Sequence, residues 1–302
     1  MRQSAEVANQ MVSVERIHEY TELPSEAPFT LDDDIDENWP ANASIKAKDF
    51  SCRYRSTLPV CLDGLSFTIE AAERVGVVGR TGSGKSSLVQ AMLRLLEAET
   101  GYIEVDGIDI SSIGLRRLRE SIAVIPQSPV LFGRCTIRDN LDPFQRYGDD
   151  AIWDALKAVQ IDKVVGSLPL KLDTAVAEGG QNFSVGQRQL LCLARAVLLR
   201  SNIIILDEPS ASVDSKTDQL LQTTLRERFS GATIISIAHR LDTVIEYDKI
   251  MLLSDGRILE FGSPSDLLSN EHGHFLSLVK STGDTMSKSL IRRARTRESV
   301  NI

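Results

Sequence analysis

The sequence predicts an α/β fold with a largely parallel sheet, on three observations. Apolar runs alternate with helix-period patterns along residues 44–280. Four of those runs, 75–78, 203–206, 233–237 and 250–253, are short and rich in Val, Ile and Leu, as strands buried on both faces are. The chain of 302 residues is 42% apolar, enough for one large core or two small ones.

Taken in order, residues 1–20 predict a helix, because Val7, Met11, Val14 and Ile17 recur at spacings of three and four between charged residues. Residues 21–43 hold Pro24, Pro28, Pro40 and the run Asp32-Asp33-Asp34-Ile35-Asp36-Glu37, a composition that predicts an acidic linker. Segments 45–52 and 65–69 predict short strands of a smaller antiparallel layer. Helices are predicted over 85–96, over 150–159, where Ile152, Leu156 and Val159 share a face, and over 184–199. Residues 281–302 carry Lys288, Arg292, Arg293, Arg295 and Arg297 among serines and threonines and predict a disordered basic tail. One globular unit, 44–280, lies between these edges.

Lys+Arg 34 against Asp+Glu 42 leaves a net charge of −8, so no domain-wide basic field exists to hold nucleic acid. No apolar stretch approaches the roughly 18–20 residues needed to cross a bilayer. The first ten residues lack the apolar core of a secretory signal. Cys52, Cys61, Cys135 and Cys192 show no metal spacing and read as reduced thiols of a soluble chain.

Gly79-Arg80-Thr81-Gly82-Ser83-Gly84-Lys85-Ser86 matches the pattern G-x-x-x-x-G-K-[ST], with a strand predicted before it and a helix after it. Glycines let backbone N–H groups converge on phosphate oxygens, and a helix N-terminus adds positive potential. Chance would supply such a match in about one chain of this length in a hundred, and the flanking pattern lowers that further. Lys85 is placed to reach the β- and γ-phosphates of a nucleotide, Ser86 to ligate Mg²⁺, and Ser87 to belong to the same phosphate-binding turn. The apolar run Ile203-Ile204-Ile205-Leu206 ends in Asp207 and Glu208. A strand buried on both faces delivers acids only at its carboxyl end, where α/β ligand sites form. Asp207 suits a magnesium role, and Glu208 suits polarising a water for attack on the γ-phosphate.

Asn182-Phe183-Ser184-Val185-Gly186-Gln187-Arg188-Gln189 precedes an amphipathic stretch, and Ser184 with Gln187 forms an S-x-x-Q capping box. This segment, lying between the P-loop and the acidic strand end, resembles the signature sequence of ABC ATPases. The resemblance implies a P-loop NTPase with a RecA-like core, an antiparallel β subdomain and an α-helical signature subdomain at about 135–195. Tyr54, Gln127, Asp214 and His239 are similar in position to the family's A-loop, Q-loop, D-loop and H-loop residues. The finer resemblance is to the second nucleotide-binding domain of the C subfamily, the multidrug-resistance-associated type. It rests on Val14-Glu15-Arg16-Ile17, Val78-Gly79-Arg80-Thr81-Gly82, Ile125-Pro126-Gln127, Asn140-Leu141-Asp142-Pro143-Phe144 and the run from Ala177 through Gln187. It covers roughly residues 1–280. Phe183 and Val185 stand where the wider family has Leu and Gly, and Pro209-Ser210 stands where Ala-Thr is frequent.

That resemblance implies a division of labour. Tyr54 stacks on adenine, and residues Gly79–Ser87 hold the phosphates. Ser86, Gln127 and Asp207 serve Mg²⁺, while Glu208, His239 and Gln127 attend the attacking water. Ser184, Gly186 and Gln187 contact the nucleotide of a partner ATPase domain paired head to tail, with Asp214 at that interface. Residues 1–20 resemble the cytoplasmic end of a last transmembrane helix. The implied function is ATP hydrolysis that drives export of organic anions or drugs, at the cytoplasmic face of a membrane, with transmembrane domains as partners and no nucleic acid. A regulatory ATP-binding module that gates a channel or receptor is the alternative. For the basic tail, attraction to anionic lipid and phosphorylation of Thr296 are the expectations considered.

Overall fold

The computed structural model describes residues 2–23, 25–31, 35–36, 38–207, 214–238 and 240–298. It begins with helix α1 (Arg2–Thr21), on which Met11, Val14 and Ile17 are exposed. A four-stranded sheet follows in the order β2-β1-β4-β5, from β1 (Ile45–Cys52), β2 (Leu62–Ile69), β4 (Thr100–Val105) and β5 (Ile108–Asp109). Every pairing in it is antiparallel.

The second sheet has the order β10-β9-β3-β8-β7-β6. Its members are β3 (Arg74–Val78), β6 (Ile122–Ile125), β7 (Ile203–Asp207), β8 (Thr233–Ile237), β9 (Lys249–Ser254) and β10 (Arg257–Gly262). All neighbours pair in parallel except β10, which turns back on β9. Successive side chains of a strand face opposite ways, and here the alternation sorts them into cores. Val75, Val77, Ile203, Ile205, Ile235, Ile237, Met251 and Leu253 face the core shared with the antiparallel sheet and α2 (Lys85–Met92). Ala123, Ile125, Ile204, Leu206 and Ile234 face a second core built largely from helices. Val78, Ile250 and Leu252 face a third. Runs that read as uniformly apolar therefore serve two faces at once.

The second core is closed by α4 (Ile137–Leu141), α5 (Asp149–Ala158), α6 (Asp162–Gly166), α7 (Val185–Leu199) and α8 (Ser215–Arg228). α3 (Leu115–Ser121) leads into β6. The third core lies under α9 (Leu241–Val244), α10 (Pro264–Ser269), α11 (His274–Lys280) and α12 (Asp284–Glu298).

Four sequence expectations need correction. Residues 284–298 of the stretch expected to be a disordered tail form α12: its arginines mask a stripe in which Ser287, Leu290 and Ala294 are buried, and Arg293 donates to Glu246 at 2.8 Å. The acidic stretch 21–43 is more than a linker. Trp39 and Ala43 enter the first core, the Trp39 indole donates to Val105 O, and Glu26 pairs with Arg119. The helix expected over 85–96 stops at Met92, because Arg94 takes a left-handed φ of 49° and its guanidinium is drawn to the carbonyls of Ile110 and Ile113. The strand expected over 65–69 starts three residues earlier, at Leu62.

Candidate nucleotide-binding site

The P-loop spans the gap between β3 and α2, and its glycines are dictated by close contact. A Cβ added at Gly79 would lie 2.3 Å from Leu253 O, a backbone atom with no freedom to retreat. Gly84, the residue before α2, has φ 104°, and a Cβ there would meet Leu62 Cδ2 at 2.9 Å. Lys85 is buried, and its ammonium donates to Gly79 O and Arg80 O, both at 2.9 Å. Burial holds its pKa below the ordinary lysine value, and the Asp207 carboxylate opposes that shift. Ser83 Oγ is buried without a hydrogen-bond partner among the described residues.

Strand register brings the other groups to the same edge. Val77 and Asp207 both lie opposite Ile237, so Asp207 ends its strand two strands from the P-loop and level with it. Ile125 pairs with Leu206, which carries Gln127 out at that carboxyl edge too. The result is a cleft of about 870 Å³ lined by Tyr54, Thr81, Gly82, Gly84, Lys85, Ser86, Ser87, Gln127 and Asp207, together with Val60, Cys61, Asp255 and Gly256. The Tyr54 hydroxyl is 3.0 Å from Ser87 Oγ, and the rest of its side chain is half exposed. Gly79, Arg80 and Ser83 do not line the cleft. Glu208 and His239 lie outside the described residues.

For Val60, Cys61, Asp255 and Gly256 the sequence gives no sign of a place in the cleft. Asp255-Gly256 is a recognisable hairpin signal, but nothing local shows that the turn packs on the P-loop, where Gly256 N donates to Ser83 O.

Ser184, Gly186 and Gln187 line no part of this cleft. Ser184 accepts from Gln187 N at 3.2 Å, and its own N–H reaches Gln187 Oε1 at 2.9 Å, the reciprocal cap of α7. A Cβ at Gly186 would sit 3.0 Å from Thr217 Oγ1 and 3.7 Å from Asp214 Oδ2, so α7 and α8 begin side by side. Asp214 caps α8, accepting from the N–H groups of Lys216 and Thr217 and from the Thr217 hydroxyl. Those bonds, that from Thr217 N–H first, hold its pKa below the usual carboxylate value. A further residue escaped notice: Gln189, fully buried on α7, donates to Pro126 O at 3.2 Å and so ties the helix to the segment that carries Gln127.

A P-loop on a mixed sheet, an acid level with it at a strand end two strands away and a capped glycine-containing helix start outside the cleft define an ATP-binding cassette. Residues 62–211 match the sequence model of the ABC transporter family, and the chain belongs to that family, whose ATP-binding domains are ATPases. Within it the likeness is to sub-family C. The chain is 48% identical over 283 residues to ATP-binding cassette sub-family C member 2 of Rattus norvegicus, covering 94% of this chain and 18% of that protein. It is 46% identical over 295 residues to sub-family C member 4 of Homo sapiens, covering 98% of this chain and 22% of that protein. It thus spans about a fifth of the length of these relatives. A bacterial Atm1-family ABC exporter with ATP bound superposes with a TM-score of 0.78 at 28% identity, over 92% of this chain and 48% of that one. Among the described residues, no helix is long and apolar enough to cross a membrane.

Proposed function

We propose that this chain is the ATP-hydrolysing domain of an exporter of organic anions or drugs, corresponding to the second nucleotide-binding domain of a multidrug-resistance-associated type of transporter. The observation that carries the proposal is the division between two surfaces: a phosphate cleft built by this chain, and a signature face that lies elsewhere.

In this reading Tyr54 stacks on adenine through its half-exposed ring, a π contact that any purine satisfies. The P-loop amides and Lys85 hold the phosphates, with Lys85 leaving the Gly79 and Arg80 carbonyls for phosphate oxygen. The hydroxyl, amide and carboxylate oxygens of Ser86, Gln127 and Asp207 suit a hard cation. They are the residues that would hold Mg²⁺, which when bound with the nucleotide neutralises charge on its phosphates. Glu208, next along the chain from Asp207, accepts the proton of the attacking water, and His239 orients the γ-phosphate. Gln127 reports the state of the nucleotide to the transmembrane partner, and its segment is anchored on α7 by Gln189.

The cleft is open to solvent, whereas phosphoryl transfer to water is helped by excluding bulk water. A partner domain docked head to tail supplies that closure with its own signature, and Ser184, Gly186 and Gln187 close the partner's site, with Asp214 at the seam. The exposed Met11, Val14 and Ile17 of α1 suit continuation toward membrane-spanning partners at the cytoplasmic face. The test is ATP turnover and substrate uptake by the assembled transporter carrying Glu208→Gln. Both should stall. Uptake that proceeds with hydrolysis abolished would favour the gating role instead.

A further inference from the structure

Cys52 and Cys61 stand at the neck of the loop that carries Tyr54. Cys52 ends β1 and is fully buried in the first core, whereas Cys61 is partly exposed and lines the nucleotide cleft. Their Sγ atoms are 3.6 Å apart. Cys61 N donates to Cys52 O at 2.9 Å, and the Cys61 thiol reaches the same carbonyl at 3.3 Å. Antiparallel pairing of β1 with β2, in register at Cys52 and Leu62, holds the two sulfurs together. The other two cysteines are also free thiols; Cys192 is buried, and its sulfur bonds to Val130 O. The proposed hydrolytic chemistry uses none of the four.

We propose that Cys52 and Cys61 form a reversible disulfide on exposure to a peroxide, and that the disulfide weakens nucleotide binding; the second part rests on reading the cleft as an ATP site. Cys61 reacts first, because it reaches solvent through the cleft. Its thiolate attacks one peroxide oxygen, the O–O bond breaks, and the departing hydroxide takes up a proton as water. The Cys52 sulfur, deprotonated, then attacks the resulting sulfenic acid; the S–S bond forms, the S–O bond breaks, and a second water leaves. Two thiols and one peroxide become one disulfide and two waters, with two electrons passing from sulfur to oxygen. Burial, first, and then the neighbouring Cys61 push the Cys52 thiol up to about 12. Conversion of Cys61 to neutral sulfenic acid removes the charge repulsion between the two sulfurs.

The consequence for binding follows from which residue has room to move. Cys52 is fixed by the core, so Cys61 makes the approach. The Cys61 carbonyl is wedged against the glycines beneath the P-loop helix, 3.1 Å from a Cβ position at Gly84 and 2.6 Å from one at Gly256. Drawing Cys61 toward Cys52 shifts that wall and the 53–60 loop, which holds Tyr54 3.0 Å from Ser87. Both the adenine platform and the entrance to the phosphate turn are displaced.

The experiment treats the whole chain with hydrogen peroxide. It follows intact mass, tryptic peptides under non-reducing conditions, and affinity for a fluorescent ATP analogue before oxidation, after it, and after dithiothreitol. The expected result is loss of two hydrogens, a crosslink between peptides 49–53 and 56–74, and affinity weakened about threefold or more, all reversed by the reductant. A Cys52→Ser chain, altered outside the cleft lining, should bind the analogue and show neither the crosslink nor the loss of two hydrogens, and a Cys135→Ser chain should respond like the parent. Cys52 and Cys61 persisting as thiols while Cys135 oxidises would overturn the site. A complete disulfide with unchanged affinity would overturn its effect on binding. Failure of the reduced parent chain to bind the analogue would count against the ATP reading and hence against that second part, while the mass measurement still decides the disulfide.

Discussion

The P-loop and the signature turn both place a glycine-containing loop at the start of a helix, yet the structure treats them in opposite ways. The P-loop is wedged between β9 and the start of β2, its lysine tied to two carbonyls of its own turn. The signature turn satisfies its helix start through one reciprocal cap, with Phe183 buried in the second core and Gly186 beside Thr217 and Asp214. A helix start bound in on several sides is a receptor for a ligand already assembled by one chain. One that is self-capped and exposed offers its serine hydroxyl to whatever docks on it. Under the proposed pairing, that difference would give a single chain one phosphate surface of its own and a share in its partner's.

The sharpest way to break this comparison is to damage the P-loop. Lys85→Ala removes the buried ammonium and should lower ATP turnover of the assembled transporter about 10²-fold or more. Nucleotide affinity of the isolated chain should fall as well. Gly79→Ala forces a methyl group to within 2.3 Å of Leu253 O, so backbone must shift. Nucleotide binding should disappear, and thermal unfolding should show a stability loss of a few kcal/mol. A Gly79→Ala chain that binds ATP like the parent would show that the cradle is not as closely fitted as the contacts demand.

A second pair of substitutions sharpens the comparison from the other side. Ser184→Ala deletes the α7 cap and should cost about 1 kcal/mol of stability, read as a lower urea midpoint. Affinity of the isolated chain for ATP should not change, because Ser184 lies outside the cleft. Turnover in the paired assembly should still fall. Weakened ATP binding by the isolated Ser184→Ala chain would place the signature in its own chain's site and collapse the distinction between the two surfaces.

Between these extremes sits Gln189→Leu, which keeps the volume but releases Pro126 O. An unmet carbonyl costs roughly 1–3 kcal/mol when fully buried and less here, where the bond is partly buried, and the loss is offset further because Gln189 Oε1 itself has no partner among the described residues. The variant should fold with modestly altered stability while hydrogen exchange of the segment around Gln127 speeds up. Unaltered exchange there would mean that α7 does not hold that segment.

What could be read in advance divides along the same line. The P-loop, the acid at Asp207 and the Ser184 cap are contiguous patterns whose physical rules act over a few residues, so the chain displays them openly. The third core was hidden because α12 spells its apolar stripe with Ser287, Leu290 and Ala294 among arginines, and only packing on α9–α11 reveals which side is inward. Cys61 and Gly256 join the cleft because the β9–β10 turn of one sheet packs on the start of β2 in the other, which brings together residues almost two hundred positions apart. Gln189 is a polar residue in an apolar helix, and its partner carbonyl is set by where β6 ends. Such long-range placements follow from topology and have no local signature.

The smallest effect concerns Asp214, where the two helix starts meet. Its folded-state pKa lies below the ordinary carboxylate value, because Thr217 N–H, the Thr217 hydroxyl and Lys216 N–H all donate to the charged form. A depressed pKa means that the stabilisation is fully present above the unfolded-state value and fades as pH falls through the folded-state one. Asp214→Asn retains an acceptor for the cap but has no proton to gain. The parent chain should therefore be the more stable at pH 7, with the gap narrowing below about pH 4. The measurement is the urea midpoint of both chains across that range, where every other carboxylate titrates equally in the two and cancels. A gap that stays constant or widens on acidification would show that Asp214 gains nothing from its charge, and that α8 is capped by shape alone.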